Sequence, residues 1–120
     1  MATDEHDYDI AVVGSGPAGH HAAIQAAKAG RRVVAIDRNQ QVGGEAVLRG
    51  TIPSKSLREA VNYLAGVGQR TFYGCSYRPV PTITMADLMS RTLHVVRAEA
   101  DVVRDTLLRN DVDVLHGTAR

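Results

Sequence analysis

The sequence predicts an α/β fold with a parallel sheet. Two observations carry that expectation. Two short runs rich in β-branched residues, Ile10–Val13 and Val33–Ile36, read as strands buried on both faces, the pattern of a parallel sheet. Between them lies an Ala-rich stretch of good helix formers, entered through Gly14, Gly16 and Gly19 in the spacing G-x-G-x-x-G.

The elements follow in chain order. Met1 to Asp7 is a polar lead-in. Tyr8 to Val13 is the first strand and Pro17 to Ala29 the first helix, with Gly30 at the expected stop. Arg32 to Asp37 is the second strand, and it ends on an acid. Strand, glycine turn, helix, strand and acid together make a Rossmann-like dinucleotide-binding βαβ unit. Gly14 allows the tight turn out of the strand. Gly16 lets the backbone approach a pyrophosphate, and Gly19 lets the helix pack close to the strand. The helix N-terminus offers unpaired N–H groups and a positive dipole end to phosphates. Asp37 can accept hydrogen bonds from ribose hydroxyls.

Arg38 to Val42 reads as a polar connection. Gly43-Gly44 opens a segment with helical spacing, interrupted by Gly50 and Pro53. A helix is expected to resume at about Ser54 and run to Leu64, with Leu57, Val61 and Leu64 on one face. Gln69 to Thr82 reads as a loop, with Pro79 and Pro81 as breakers. Thr84 to Asn110 is the longest periodic segment, with Thr84 and Asp87 placed to cap its start. Its apolar stripe contains Met85, Leu88, Met89, Val95, Val96, Val102, Val103 and Leu107. Packing on the sheet is expected through Leu88, Val95 and Val102. Val112 to Leu115 is the last strand. The expected sheet order is second strand, first strand, last strand.

Composition narrows the class. A chain of 120 residues suffices for one domain with one core. With 44% hydrophobic and 22% charged residues it reads as a soluble globular protein. A net charge of +1 gives no electrostatic case for nucleic acid or anionic membrane. No apolar run approaches membrane-spanning length, and the acidic start MATDEHDYD is unlike a signal peptide, so a cytoplasmic location is expected. The single cysteine, Cys75, excludes an internal disulfide and a cysteine-built zinc site. His20 and His21 read as packing or solvated residues, and no metal site is expected.

A second stretch carries more specific information. Gly43 to Lys55 reads GGEAVLRGTIPSK. Together with Asp37 it resembles the flavin-binding domain of the pyridine nucleotide–disulfide oxidoreductase family. In that family a stretch of the form G-G-x-C-x-x-x-x-C-[IV]-P-S-K carries the redox disulfide beside the flavin. Gly43, Gly44, Gly50, Ile52, Pro53, Ser54 and Lys55 match the form, while Ala46 and Thr51 occupy the two cysteine positions. The scaffold is kept and the disulfide is absent. The form G-T-I-P-S-K followed by S-L-R-E-A-V resembles the soluble, Si-specific pyridine nucleotide transhydrogenases in particular, and the likeness runs along essentially the whole chain.

The resemblance implies FAD as cofactor. It implies that Ser15 and the turn Gly16, Pro17, Ala18, Gly19 hold the pyrophosphate, with Gly14 forming the turn. Asp37 would hold the adenosine ribose, with Arg38 beside it. Gly43 and Gly44 would pass close to the cofactor, Lys55 would lie near the flavin ring, and Ala119 would approach the adenine through its backbone. No protein group would be catalytic; the flavin would pass a hydride between NADPH and NAD+. The resemblance further implies an incomplete domain. The 120 residues would be the N-terminal part of the FAD-binding domain, inactive alone. The nicotinamide-nucleotide and dimerisation domains, and with them a homo-oligomeric enzyme, would lie in further sequence. The alternatives are another thiol-less flavin-dependent NAD(P)H reductase and a non-catalytic nucleotide-binding remnant.

Overall fold

A computed structural model describes residues 6–64, 66 and 82–120. Strand β1 spans Ile10–Val13, helix α1 Pro17–Lys28 and strand β2 Val33–Asp37. Two helices follow, α2 at Gly44–Leu48 and α3 at Thr51–Leu64. The long helix α4 spans Met85–Arg109, and strand β3 spans Val112–His116. The expected loop over residues 69–82, apart from Thr82, lies outside the described residues, as does Cys75.

The three strands form one parallel sheet in the order β1-β2-β3. Ile10 and Val112 both pair with Val33 in the register. The parallel sheet is as expected, but the order is not, because β2 and not β1 is central. The distribution of apolar surface explains why. Val33, Val34 and Ala35 are all buried, so β2 is covered on both faces. Ala23 and Ile24 of α1 share one core with Val33 and Ala35 of β2, Val103 and Leu107 of α4, and Val112 of β3. Both α1 and α4 therefore cover the same face. Right-handed crossovers place successive connections on one face only when each strand is added in the same direction. Adding β3 beside β1 would have carried α4 to the opposite face. The apolar runs of β1 and β2 are equally strong, so periodicity could not choose between them.

Helix α4 is built as its sequence suggests at the start. Thr84 Oγ1 accepts from the Asp87 N–H at 3.2 Å, and the Asp87 carboxylate accepts from the Thr84 N–H at 2.9 Å. This reciprocal box satisfies two N–H groups that the helix leaves open. The packing stripe is different from the expected one. Thr92, Val96, Ala100, Val103 and Leu107 are buried, whereas Val102 is 58% exposed. Leu88 and Val95 are only half-buried. Steps of three and four from Leu107 backwards pass through Ala100 and Thr92, which a search for large apolar residues overlooks.

Helix α3 starts three residues earlier than expected. Pro53 falls in its first turn, where its missing N–H would have no intrahelical partner. Its buried face is formed by Ser56 and Ala60, with Leu57 half-buried and Val61 44% exposed. Small side chains let α3 lie along α4, the most extensive contact between two elements.

Candidate functional site

The site begins with the turn between β1 and α1. Gly14 has φ +96°, a conformation that favours glycine. Its N–H donates to the Ile36 carbonyl at 2.7 Å, which fixes the turn to β2. A Cβ on Gly19 would lie 1.9 Å from the Gly14 carbonyl oxygen and 3.5 Å from Val12 Cγ1. Close packing of α1 on β1 therefore requires glycine there. Helix α1 opens with Gly16 as N-cap and Pro17 after it. It has no side-chain cap and no acid in its first turn. The positive end of the helix is thus left without a neutralising group on its own first turn.

The second glycine segment closes against the first. Gly43 and Gly44 have φ +113° and +62°. A Cβ on Gly44 would stand 2.7 Å from Gly16 Cα, so two backbone segments meet where a side chain would part them. A Cβ on Gly16 would meet only Gly44 Cα, at 3.9 Å. The space above Gly16 is therefore open to a ligand.

Ser15 and Asp37 form the buried polar centre of this arrangement. Ser15 is 0% and Asp37 6% exposed. One Asp37 oxygen, Oδ2, accepts from the Ser15 N–H at 2.8 Å and from the Ser15 hydroxyl. The other, Oδ1, accepts from the Asn39 N–H at 2.9 Å and from Asn39 Nδ2 at 3.1 Å. Ser15 Oγ also accepts from the Gly43 N–H at 3.1 Å. A chain of hydrogen bonds thus joins 43, 15, 37 and 39. Burial pushes the Asp37 carboxyl up, but the bonds from Ser15 and Asn39 outweigh it and hold it below the usual carboxylate range. Near the helix start, His20 Nδ1 is buried without a partner among the described residues. Burial, followed by the neighbouring His21, holds its pKa below the usual imidazole value.

A cavity of about 380 Å³ lies at the C-terminal ends of the strands. Gly14, Gly16, Asp37, Arg38, Gly44 and Ala119, all anticipated from the sequence, line it. Ser15 and Gly43 lie directly behind, through the bonds just described. Pro17, Ala18 and Gly19 form the first turn of α1. Lys55 is exposed on α3 and does not line the cavity. Ala46 on α2 is half-buried and Thr51 at the start of α3 is exposed.

Asn39, Glu45, Gly117 and Thr118 also line the cavity and were missed. Asn39 had a usable signal, since an Asp commonly accepts from the N–H two residues on. Gly117 and Thr118 arrive through tertiary contacts. The Gly117 N–H donates to the Asp37 carbonyl at 2.8 Å. His116 Nε2 donates to the Arg38 carbonyl at 2.9 Å, since that oxygen can only accept. A wider groove of about 610 Å³ shares Arg38 and Asn39 with the cavity and is bordered by Arg49, Leu93 and His116.

A glycine turn under an uncapped helix, at the carboxyl ends of a parallel sheet, is a phosphate-binding arrangement of the dinucleotide type. The profile of the FAD dependent oxidoreductase family matches residues 9–119, and the chain belongs to that family, whose cofactor is FAD. Within it, the chain is 54% identical over 114 residues to proteins named soluble pyridine nucleotide transhydrogenase from Mycobacterium bovis and Mycobacterium tuberculosis. It is 37% identical over 115 residues to one of the same name from Escherichia coli. The matches take in 95% and 96% of this chain but 24% of each relative, so the chain spans about a quarter of the length of the curated relatives it matches. Among the described residues, no helix is long and apolar enough to cross a membrane.

Proposed function

We propose that this chain is the N-terminal part of an FAD-binding domain, and that the protein is a cytoplasmic, homo-oligomeric NAD(P)+ transhydrogenase. The cavity over Gly14 and Gly16, facing an uncapped α1, is the observation that carries the reading. The fit to FAD rests on two features. The space above Gly16 is open where a backbone must meet a pyrophosphate. The first turn of α1 has N–H groups and no acid to compete for them.

When bound, FAD would supply the chemistry of hydride transfer between NADPH and NAD+. The chain's own residues bind and orient. The N–H groups of Gly16, Ala18 and Gly19, free of the helix ladder, hold the pyrophosphate, while Pro17, which has no N–H, fixes the first turn of α1. Ser15 and Asp37 hold that turn against the end of β2. Arg38 and the backbone at Ala119 border the adenosine end. Lys55, outside this cavity, is assigned to the flavin-ring end, where a cation steadies negative charge. Ala46 and Thr51 carry no thiol, so no protein dithiol takes part at these positions.

The test uses the protein expressed from its complete reading frame. Hydride exchange from NADPH to NAD+ is measured with and without FAD, and with and without arsenite, which captures paired thiols. Exchange that needs FAD and ignores arsenite is the expected result. Exchange without FAD, or blocked by arsenite, overturns the reading.

A further inference from the structure

We infer that Arg49 is a positioning residue for cofactor binding, which holds the Glu45 carboxylate away from the place where the pyrophosphate binds. The inference rests on the cavity receiving a pyrophosphate.

The argument starts from the two carboxylates that line the cavity, Asp37 and Glu45. Asp37 is buried, and its oxygens accept four hydrogen bonds from Ser15 and Asn39. Its charge is absorbed within the wall. Glu45 is exposed in the first turn of α2. It directly follows Gly44, which packs so closely on Gly16 that a Cβ would stand 2.7 Å from the Gly16 Cα. A carboxylate is thus placed beside the turn that receives a doubly charged ligand.

That carboxylate has an alternative destination. Helix α1 has no side-chain cap and no acid in its own first turn. The positive end of a helix attracts any nearby anion. A free Glu45 would be drawn toward the N–H groups that the pyrophosphate needs, or would repel the ligand from beside them. Among the described residues its hydrogen bond goes elsewhere. Glu45 Oε1 accepts from Arg49 Nη1 at 2.9 Å, one helical turn on. Arg49 borders the neighbouring groove and does not line the cavity. The pair therefore turns the acid from the cavity toward the groove. As an exposed pair it adds little to the stability of a five-residue helix. Its importance lies in where it leaves the negative charge.

A direct role for Arg49 predicts something different. If its guanidinium reached the phosphates itself, removing it would weaken binding whatever stood at position 45. If it acts through Glu45, removing it matters only while the acid is present.

The experiment uses the protein expressed from its complete reading frame and freed of FAD. Titration calorimetry with ADP, and with adenosine, which has no phosphate, compares wild type, Arg49→Ala, Glu45→Gln and the double variant. Arg49→Ala should bind ADP about three- to tenfold more weakly at low ionic strength, the scale of one charge acting on a nearby anion through water. Its affinity for adenosine should be unchanged, and high salt should shrink the difference for ADP. Glu45→Gln should bind ADP at least as tightly as the wild type, and the double variant should match Glu45→Gln within about twofold.

An equal loss from Arg49→Ala in both backgrounds overturns the inference, as does no loss in either. Weaker ADP binding by Glu45→Gln also overturns it, because the acid would then be a ligand. A loss shared by ADP and adenosine would mark a merely structural role and overturn it too. A wild type that binds ADP no better than adenosine overturns the site reading itself, and the inference with it. Circular dichroism checks folding, and Arg49→Gln replaces Arg49→Ala under the same criteria should the latter not fold.

Discussion

Residues 9–44 and the helix pair α3 and α4 are held together by different physics. The first region is fixed by directional contacts, each needing one residue type. Gly19 must lack a Cβ to meet the Gly14 carbonyl, Gly44 must lack one to meet Gly16, and the Asp37 carboxylate takes donors from two separate segments. The second region is held by packing between α3 and α4, with Ser56 and Ala60 buried on one helix and Thr92 and Val96 buried on the other. The helices also leave much apolar surface outside, with Tyr63, Met85 and Val102 all exposed. Where geometry depends on single atoms, sequence motifs reveal it. Where it depends on the summed fit of small residues, several helix faces look acceptable.

Substitutions sharpen that contrast. The largest effect is expected for Gly19→Ala, because the new Cβ meets backbone that cannot move aside. The loss should exceed about 5 kcal/mol, comparable with the whole stability of a small domain. Urea unfolding with a midpoint near that of the wild type would show that α1 can lift from β1.

Leu107→Ala comes next. Leu107 is 0% exposed and joins α4 to the sheet core. Cavity formation at such a site costs about 2–5 kcal/mol. Should the cost fall below about 1 kcal/mol, α4 would not be anchored by the stripe described.

Asp37→Ala at neutral pH should cost about 2 kcal/mol, because it strands buried donors on Ser15. The pH dependence gives an independent check. The folded-state pKa of Asp37 lies below the ordinary value, so its contribution is complete above the unfolded pKa of about 4. It is lost as the pH falls through the folded pKa. Acid unfolding should therefore have a shallower slope in Asp37→Ala than in the wild type. Parallel slopes in the two proteins would contradict the sign of the shift.

The smallest change is expected at the start of α4. Thr84→Ala removes the acceptor for the Asp87 N–H and should cost about 1 kcal/mol. Thermal unfolding measures it, and a shift as large as that of Leu107→Ala would mean that the cap also serves a tertiary contact.

The sequence made the βαβ unit legible because its signals are local. Apolar runs mark the strands, glycines mark places where backbones must meet, and Thr84 with Asp87 marks a helix start. Of the cavity-lining residues, Gly14, Gly16 and Asp37 were recognisable for the same reason, whereas Arg38, Gly44 and Ala119 were anticipated through the family resemblance. The strand order was not legible, since it depends on which face α4 shares with α1. The buried stripe of α4 was missed because Thr92 and Ala100 carry it alongside Val96 and Leu107. Gly117 and Thr118 escaped notice because a hydrogen bond to the Asp37 carbonyl, far away in sequence, brings them to the cavity.

The central place of β2 also has a kinetic consequence. Val33 meets Ile10 across a short, largely helical connection, but meets Val112 only after most of the chain has been gathered. Closing the longer loop costs about 1 kcal/mol more in chain entropy. The unit β1-α1-β2 can thus assemble early from local contacts, while β3 docks late. The bonds that bring residues 116–117 to the cavity, His116 to Arg38 and Gly117 to Asp37, belong to that late step. The glycine turn can then exist before its cavity does, and the last strand to join is the one that completes the cavity wall.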